Sequence, residues 1–112
     1  MTIRLADLPA DVQEEVAATR TIVADLHAEL PRWELVVWTA GNVSQRIRCA
    51  DRIGQDLFVI KPSGVSYDQL SPEAMVVCTL DGKKIDDDTP DRLQPSSDTA
   101  AHAYVYEHLD RV

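Results

Sequence analysis

Residues 57–64 read Leu57-Phe58-Val59-Ile60-Lys61-Pro62-Ser63-Gly64, or LFVIKPSG. Four apolar strand formers and a lysine run straight into a proline turn, which predicts a strand over Leu57–Lys61 closed by Pro62-Ser63-Gly64. Upstream, Ser44–Cys49 (SQRIRC) alternates polar with apolar residues and is expected to pair with that strand across the turn-rich ADRIGQ. Downstream, Met75–Leu80 (MVVCTL) reads as another strand, and Asp81-Gly82 is the strongest hairpin signal in the chain, returning through Lys83–Ile85. Between them, Ser71-Pro72-Glu73-Ala74 has the form of an N-cap and a single helical turn with proline at its first position. Earlier still, Glu34–Thr39 (ELVVWT) is a short apolar run of strand formers that ends at Gly41-Asn42.

Two helices flank these strands. Over residues 9–30, Val12, Val16, Thr19, Val23, Leu26 and Leu30 recur at spacings of three and four, giving one apolar stripe that Pro31 should end. His27 lies beside the stripe and is expected to be a partly exposed structural residue. The last helix is expected over Asp98–Asp110, with Ala101, Tyr104, Val105, His108 and Leu109 as its buried face and Ser96 or Ser97 as its N-cap. Residues 86–94 (DDDTPDRLQ) read as a solvated acidic loop.

A chain of 112 residues makes one domain with one modest core. Its 45% hydrophobic and 27% charged content is that of a globular protein rather than a disordered one. The net charge of −8 and the lack of any basic cluster denser than Lys83-Lys84 argue against nucleic acid and membrane surfaces as partners. No apolar run reaches the roughly 18 residues that span a bilayer, and the N-terminus lacks the apolar core of a signal peptide. Cys49 and Cys78 have no paired-cysteine spacing and read as reduced thiols in a cytoplasmic protein.

Three short clusters interrupt the pattern: Gly41-Asn42-Val43-Ser44, Lys61-Pro62-Ser63-Gly64 and Pro95-Ser96-Ser97-Asp98-Thr99. Two lie at strand ends and one at a helix start. Each joins a turn former to small hydroxyl or amide side chains, and one adds a lysine. That chemistry suits a phosphate: small residues let backbone N–H groups approach its oxygens, a helix start offers donors, and a lysine offers full charge. In an acidic chain such a site must act through local donors.

In order and spacing, WTAGNVS (Trp38–Ser44), FVIKPSGVSYDQL (Phe58–Leu70), MVVCTLDGK (Met75–Lys83) and PSSDTAAH (Pro95–His102) resemble the N-terminal half of the bacterial L-ribulose-5-phosphate 4-epimerases of the class II aldolase/adducin superfamily. The likeness runs from about residue 10 to residue 112. It implies an α/β fold, three layers α/β/α around a mixed, largely antiparallel sheet, with residues 1–112 as the N-terminal portion of one domain and the C-terminal half absent. It also implies roles. Gly41 and Asn42 would contact substrate; Lys61, Ser63 and Gly64 would belong to the phosphate and sugar site; Ser96 and Ser97 would bind phosphate. Asp98 would stand beside a divalent metal, zinc in that family, as a metal-site or acid/base residue. Ser66-Tyr67-Asp68 would serve packing and the turn.

The reaction so implied is conversion of L-ribulose 5-phosphate to D-xylulose 5-phosphate in pentose (arabinose) catabolism, by cleavage and re-formation of C3–C4 in a cytoplasmic homotetramer. An aspartate at position 98 favours the epimerase over the related aldolases, whose pattern here has glutamate. A class II sugar-phosphate aldolase, or a non-catalytic adducin-like binding domain, is the alternative. The family's histidine metal ligands fall after Val112, and His102 and His108 do not match their motif. The 112 residues alone are therefore expected to be an inactive fragment.

Overall fold

A computed structural model describes residues 3–32, 42–65, 70–87, 94–109 and 111–112. The expected strand at 34–39, Gly41 and the Ser66-Tyr67-Asp68 turn lie outside the described residues. In chain order the elements are α1 (Ala10–Arg32), β1 (Ser44–Ile47), α2 (Ala50–Ile53), β2 (Leu57–Ile60), β3 (Val76–Thr79) and α3 (Thr99–His108), with short 3-10 turns at Leu5–Asp7 and Pro72–Ala74.

β2 is the centre of a three-stranded sheet, antiparallel to β1 on one side and to β3 on the other. Its four apolar residues have no exposed face: Leu57, Phe58, Val59 and Ile60 are all buried. Because successive side chains of a strand point to opposite faces, Leu57 and Val59 join Val12, Val16, Val23 and Val77 under α1. Phe58 and Ile60 join Val76, Cys78, Ala103 and Tyr106 under α3. The result is the expected α/β arrangement, one helix on each face of the sheet. Gly82 supplies the positive φ (87°) of the turn after β3, and Ile85 N–H returns to Val77 O at 2.9 Å. The sheet is antiparallel throughout, and an isolated parallel bridge between Arg4 and Asp86 lies outside its strands.

Several local expectations are corrected. α1 runs to Arg32, past Pro31, whose missing N–H costs only one bond at the last turn. Its buried stripe leaves Leu26 41% exposed and passes through His27, which is fully buried rather than partly exposed. β1 stops at Ile47, and ADRI forms the single turn of α2 in place of a plain loop, closed by Gly54 at φ 86°. The acidic run is not wholly solvated, because the Asp87 side chain is buried in an ion pair with Arg20 of α1.

The largest correction concerns α3. Its buried residues are Thr99, Ala103 and Tyr106, while Tyr104 and Leu109 are 64% and 53% exposed. Both faces of this helix carry apolar residues, so spacing alone could not choose between them. Its N-cap is Asp98, without a side-chain capping bond, rather than Ser96 or Ser97. Both cysteines are free and buried, and burial pushes their thiols up, to about 11 for Cys49 and about 12 for Cys78. Neither is a thiolate near neutral pH.

Candidate functional site

The register of the sheet assembles the site. Ser44 pairs with Ile60, so the residues before β1 and those after β2 emerge at the same end. Pro62 then pairs with Pro95 in an antiparallel bridge. Neither proline has an N–H to give, and the neighbouring residues supply the bonds: Ser96 N–H to Lys61 O at 2.9 Å and Ser63 N–H to Gln94 O at 2.8 Å. The start of α3 is thereby tied to the end of β2. Asn42 closes the third side, its Nδ2 donating to Ser96 Oγ at 3.1 Å and to Asp98 Oδ2 at 2.8 Å.

Asn42, Lys61, Ser63, Ser96 and Asp98 are thus brought together, with Gly64 and Ser97 adjoining them in sequence. Gly64 has φ 72°, a conformation that glycine adopts at little cost. Ser63, Gly64, Ser97 and Asp98 are exposed, and Asn42 and Ser96 are half-buried. The Ser96 hydroxyl accepts the Asp98 N–H at 3.3 Å, which shapes the turn into α3. Lys61 is different. It is only 2% exposed, its Nζ donates to Pro62 O at 3.1 Å, and burial pushes its ammonium below the usual lysine range. Gly41 lies outside the described residues.

Four further residues support the arrangement, none of them given a role in it by the sequence. His102 Nε2 lies 2.6 Å from Asn42 Oδ1, and His102 Nδ1 lies 2.6 Å from Ser44 Oγ. Ser44 Oγ also meets the Tyr106 hydroxyl at 2.6 Å. Ser44 and His102 end the GNVS and PSSDTAAH stretches, the only local sign of a role; Tyr106 had none, since the spacing pointed to its neighbour Tyr104. The fourth is His27, whose Nδ1 is 2.7 Å from Val23 O and whose Nε2 accepts the Val43 N–H at 3.0 Å. A carbonyl can only accept, so Nδ1 carries the proton and the ring is neutral.

Burial pushes the His27 pKa below 6.5; the Val23 carbonyl opposes this, and the charges of Lys61 and His102 add to it. A histidine held neutral by the fold stabilises it above its unfolded pKa, and that contribution is lost as pH falls from 6.5 through the lowered folded value. His27→Leu should cost about 1–3 kcal/mol at pH 7.5, because the Val43 N–H loses its partner. Urea unfolding should show the gap between wild type and variant closing below pH 6.5. A gap that stays constant to pH 5 would remove His27 as the anchor of this loop.

Among the described residues no group of three or more His, Cys, Asp or Glu side chains could hold a metal ion. Asp98 is one carboxylate, already engaged with Asn42. The residues present do not by themselves fit a catalytic metal, which needs about three protein ligands and an open position. No helix among them is long and apolar enough to cross a membrane.

The family model for the class II aldolase and adducin N-terminal domain matches residues 21–112. This chain belongs to that family. It is 41% identical over 98 residues, 88% of its length, to the "Probable L-ribulose-5-phosphate 4-epimerase UlaF" of Mycoplasma pneumoniae, and covers 34% of that protein. It is 45% identical over 85 residues, 76% of its length, to the L-ribulose-5-phosphate 4-epimerase UlaF of Salmonella paratyphi B, covering 33% of it. The chain thus spans about a third of the length of the curated relatives it matches. A solved L-fuculose 1-phosphate aldolase superposes with a TM-score of 0.66 at 23% identity, over 81% of this chain and 39% of that one, and shares its fold. The epimerases and aldolases among these relatives place the chain in a family of enzymes, and members of the class II aldolase family are generally metal-dependent.

Proposed function

We propose that this site anchors a sugar phosphate and that the protein is an L-ribulose-5-phosphate 4-epimerase, residues 1–112 forming the N-terminal portion of its domain. The observation that supports the reading is the convergence of Asn42, Lys61-Pro62-Ser63 and Ser96-Asp98 at one end of the sheet. Hydroxyls, a glycine turn, a helix start and one lysine meet beside a carboxylate, and that set suits a phosphate ester held beside a group that can move a proton.

In this reading Ser96, Ser97, Gly64 and Lys61 hold the phosphate, with Ser63 beside them. Gly41 and Asn42 contact the sugar, and Asp98 stands at the reacting carbons as an acid/base or metal-site residue. The C4 hydroxyl gives up its proton as the C3–C4 bond breaks and its electron pair passes onto the C2 carbonyl as an enediolate. The aldehyde fragment turns over, and the enediolate carbon adds to its other face as the proton returns to the C4 oxygen. A fixed phosphate lets that fragment rotate without leaving. A divalent cation, zinc on the family likeness, would supply Lewis acidity when bound; the described residues offer it Asp98 and no cage. A cytoplasmic homo-oligomer, a tetramer, completes the proposal.

Titration of the isotope-labelled chain with inorganic phosphate should shift the amide resonances of Asn42, Gly64 and Ser97 together. Shifts confined to other residues, or none, would overturn the anchoring site. In a protein of the relatives' length carrying this domain, L-ribulose 5-phosphate should yield D-xylulose 5-phosphate. Accumulation of two cleaved fragments would make it an aldolase instead, and phosphate binding with no turnover a binding domain. The 112 residues alone should turn over nothing and bind no stoichiometric zinc.

A further inference from the structure

We propose that His102 is a positioning residue, which holds the Asn42 carboxamide with its NH2 group turned toward Ser96 and Asp98. The inference rests on the reading of Asn42 as a substrate contact. An ionised carboxylate can only accept a hydrogen bond, so the Asn42 atom 2.8 Å from Asp98 Oδ2 is the nitrogen. The amide oxygen then faces His102 Nε2, 2.6 Å away, and that nitrogen must carry the proton. His102 Nδ1 is left bare and accepts from the Ser44 hydroxyl at 2.6 Å, and Ser44 Oγ accepts in turn from the Tyr106 hydroxyl at 2.6 Å. One carboxylate therefore sets the direction of every bond from Asp98 to Tyr106.

The far end of this chain is rigid. Tyr106 is buried, with its ring 5.2 Å from that of Phe58 and tilted 44° to it. Rigidity matters because the last torsion of an asparagine is broad and two-fold, so an unassisted amide can turn over. Turned over, Asn42 would aim its oxygen at the Asp98 carboxylate and at any phosphate or sugar oxygen beside it, a repulsion in place of a bond. The His102 N–H prevents that by claiming the oxygen. Burial lowers the His102 pKa, with the Asp98 charge partly opposing it, so the ring is disposed to stay in the neutral form that this pattern needs. His102 acts through Asn42, and its role is to fix a neighbour.

The tautomer can be read directly, with no ligand, from the ring nitrogen resonances of the isotope-labelled chain at pH 7.5. The expected result is a protonated Nε2 and a bare Nδ1 at His102, with the Asn42 NH2 pair shifted by its bonds. Ser44→Ala should let both tautomers appear. His102→Leu should release the Asn42 pair and weaken inorganic phosphate binding about tenfold, and His102→Gln, whose amide can donate from a similar place, should recover most of both. A wild-type His102 protonated on Nδ1, or Asn42 resonances unmoved in His102→Leu, would overturn the proposal. Should the leucine variant not fold, the wild-type tautomer and Ser44→Ala decide it. Wild-type protein that shows the tautomer but binds no phosphate would overturn the anion site alone.

Discussion

Asp56→Ala should destabilise the protein by about 3–5 kcal/mol, the cost of stripping one partner from a buried ion pair. Asp56 Oδ2 accepts from Arg46 Nε at 2.8 Å, with both side chains about nine-tenths buried. Its Oδ1 accepts the N–H groups of Cys49 and Ala50 at 3.0 and 2.9 Å, the donors that open α2. The same guanidinium reaches the end of α3, with Nη1 2.9 Å from Tyr106 O. One carboxylate thus joins β1, α2 and the helix that carries His102. Removing it leaves the Arg46 charge buried with carbonyl partners but no counter-ion, and the Cys49 and Ala50 amides without their acceptor.

The pH dependence follows from the competing influences on Asp56. Burial pushes its carboxyl up, but the Arg46 hydrogen bond, the Ala50 and Cys49 amides and the Arg46 charge outweigh it and hold the pKa below 3.8. Stability from a depressed carboxyl is present above the unfolded value and is lost as pH falls through the folded one. The gap between wild type and Asp56→Ala in urea unfolding should therefore be full at pH 7 and shrink below 3.8. A loss under about 1 kcal/mol at pH 7 would place the pair among weakly contributing surface bridges.

What the sequence disclosed depended on how local each signal is. The apolar run of β2 and the Asp81-Gly82 turn are local, and both stand where they were expected. So are the three polar clusters as turn chemistry; that they meet depends on the Ser44–Ile60 register and the Pro62–Pro95 bridge, which tie residues far apart in the chain. The buried side of α3 was misread because Ala101, Tyr104 and Val105 make as good a stripe as Thr99, Ala103 and Tyr106. His27 was undervalued because its ring accepts from Val43, in the segment that leads into β1 and sixteen residues away. The Asn42–His102–Ser44–Tyr106 chain was illegible for the same reason: each bond spans a sequence separation of roughly sixty residues. The substrate roles proposed for these clusters rest on family likeness, which no spacing rule could replace.

Lys61→Met should weaken inorganic phosphate binding by about tenfold or more and yet stabilise the protein without ligand. The first effect follows from losing a charged donor to an anion, worth about 1.5–3 kcal/mol. The second follows from the cost of burying an ammonium, which methionine avoids at similar length. Burial holds the Lys61 pKa below 10.5, so the folded state disfavours the charged form. For a lysine shifted this way the cost is present in full below the lowered folded pKa and is relieved as pH climbs from there toward 10.5. The stability advantage of Lys61→Met should accordingly be largest at neutral pH and fade on the alkaline side. Phosphate affinity of the wild type should fall over that same alkaline range, as the ammonium loses its proton, while the variant's stays flat. Calorimetric titration and urea unfolding at several pH values separate the two effects. Affinity unchanged within about twofold would show that backbone and hydroxyl donors suffice. A variant less stable than wild type at pH 7 would show that the bonds of the buried ammonium, Pro62 O among them, outweigh its desolvation, and would make Lys61 a structural residue first.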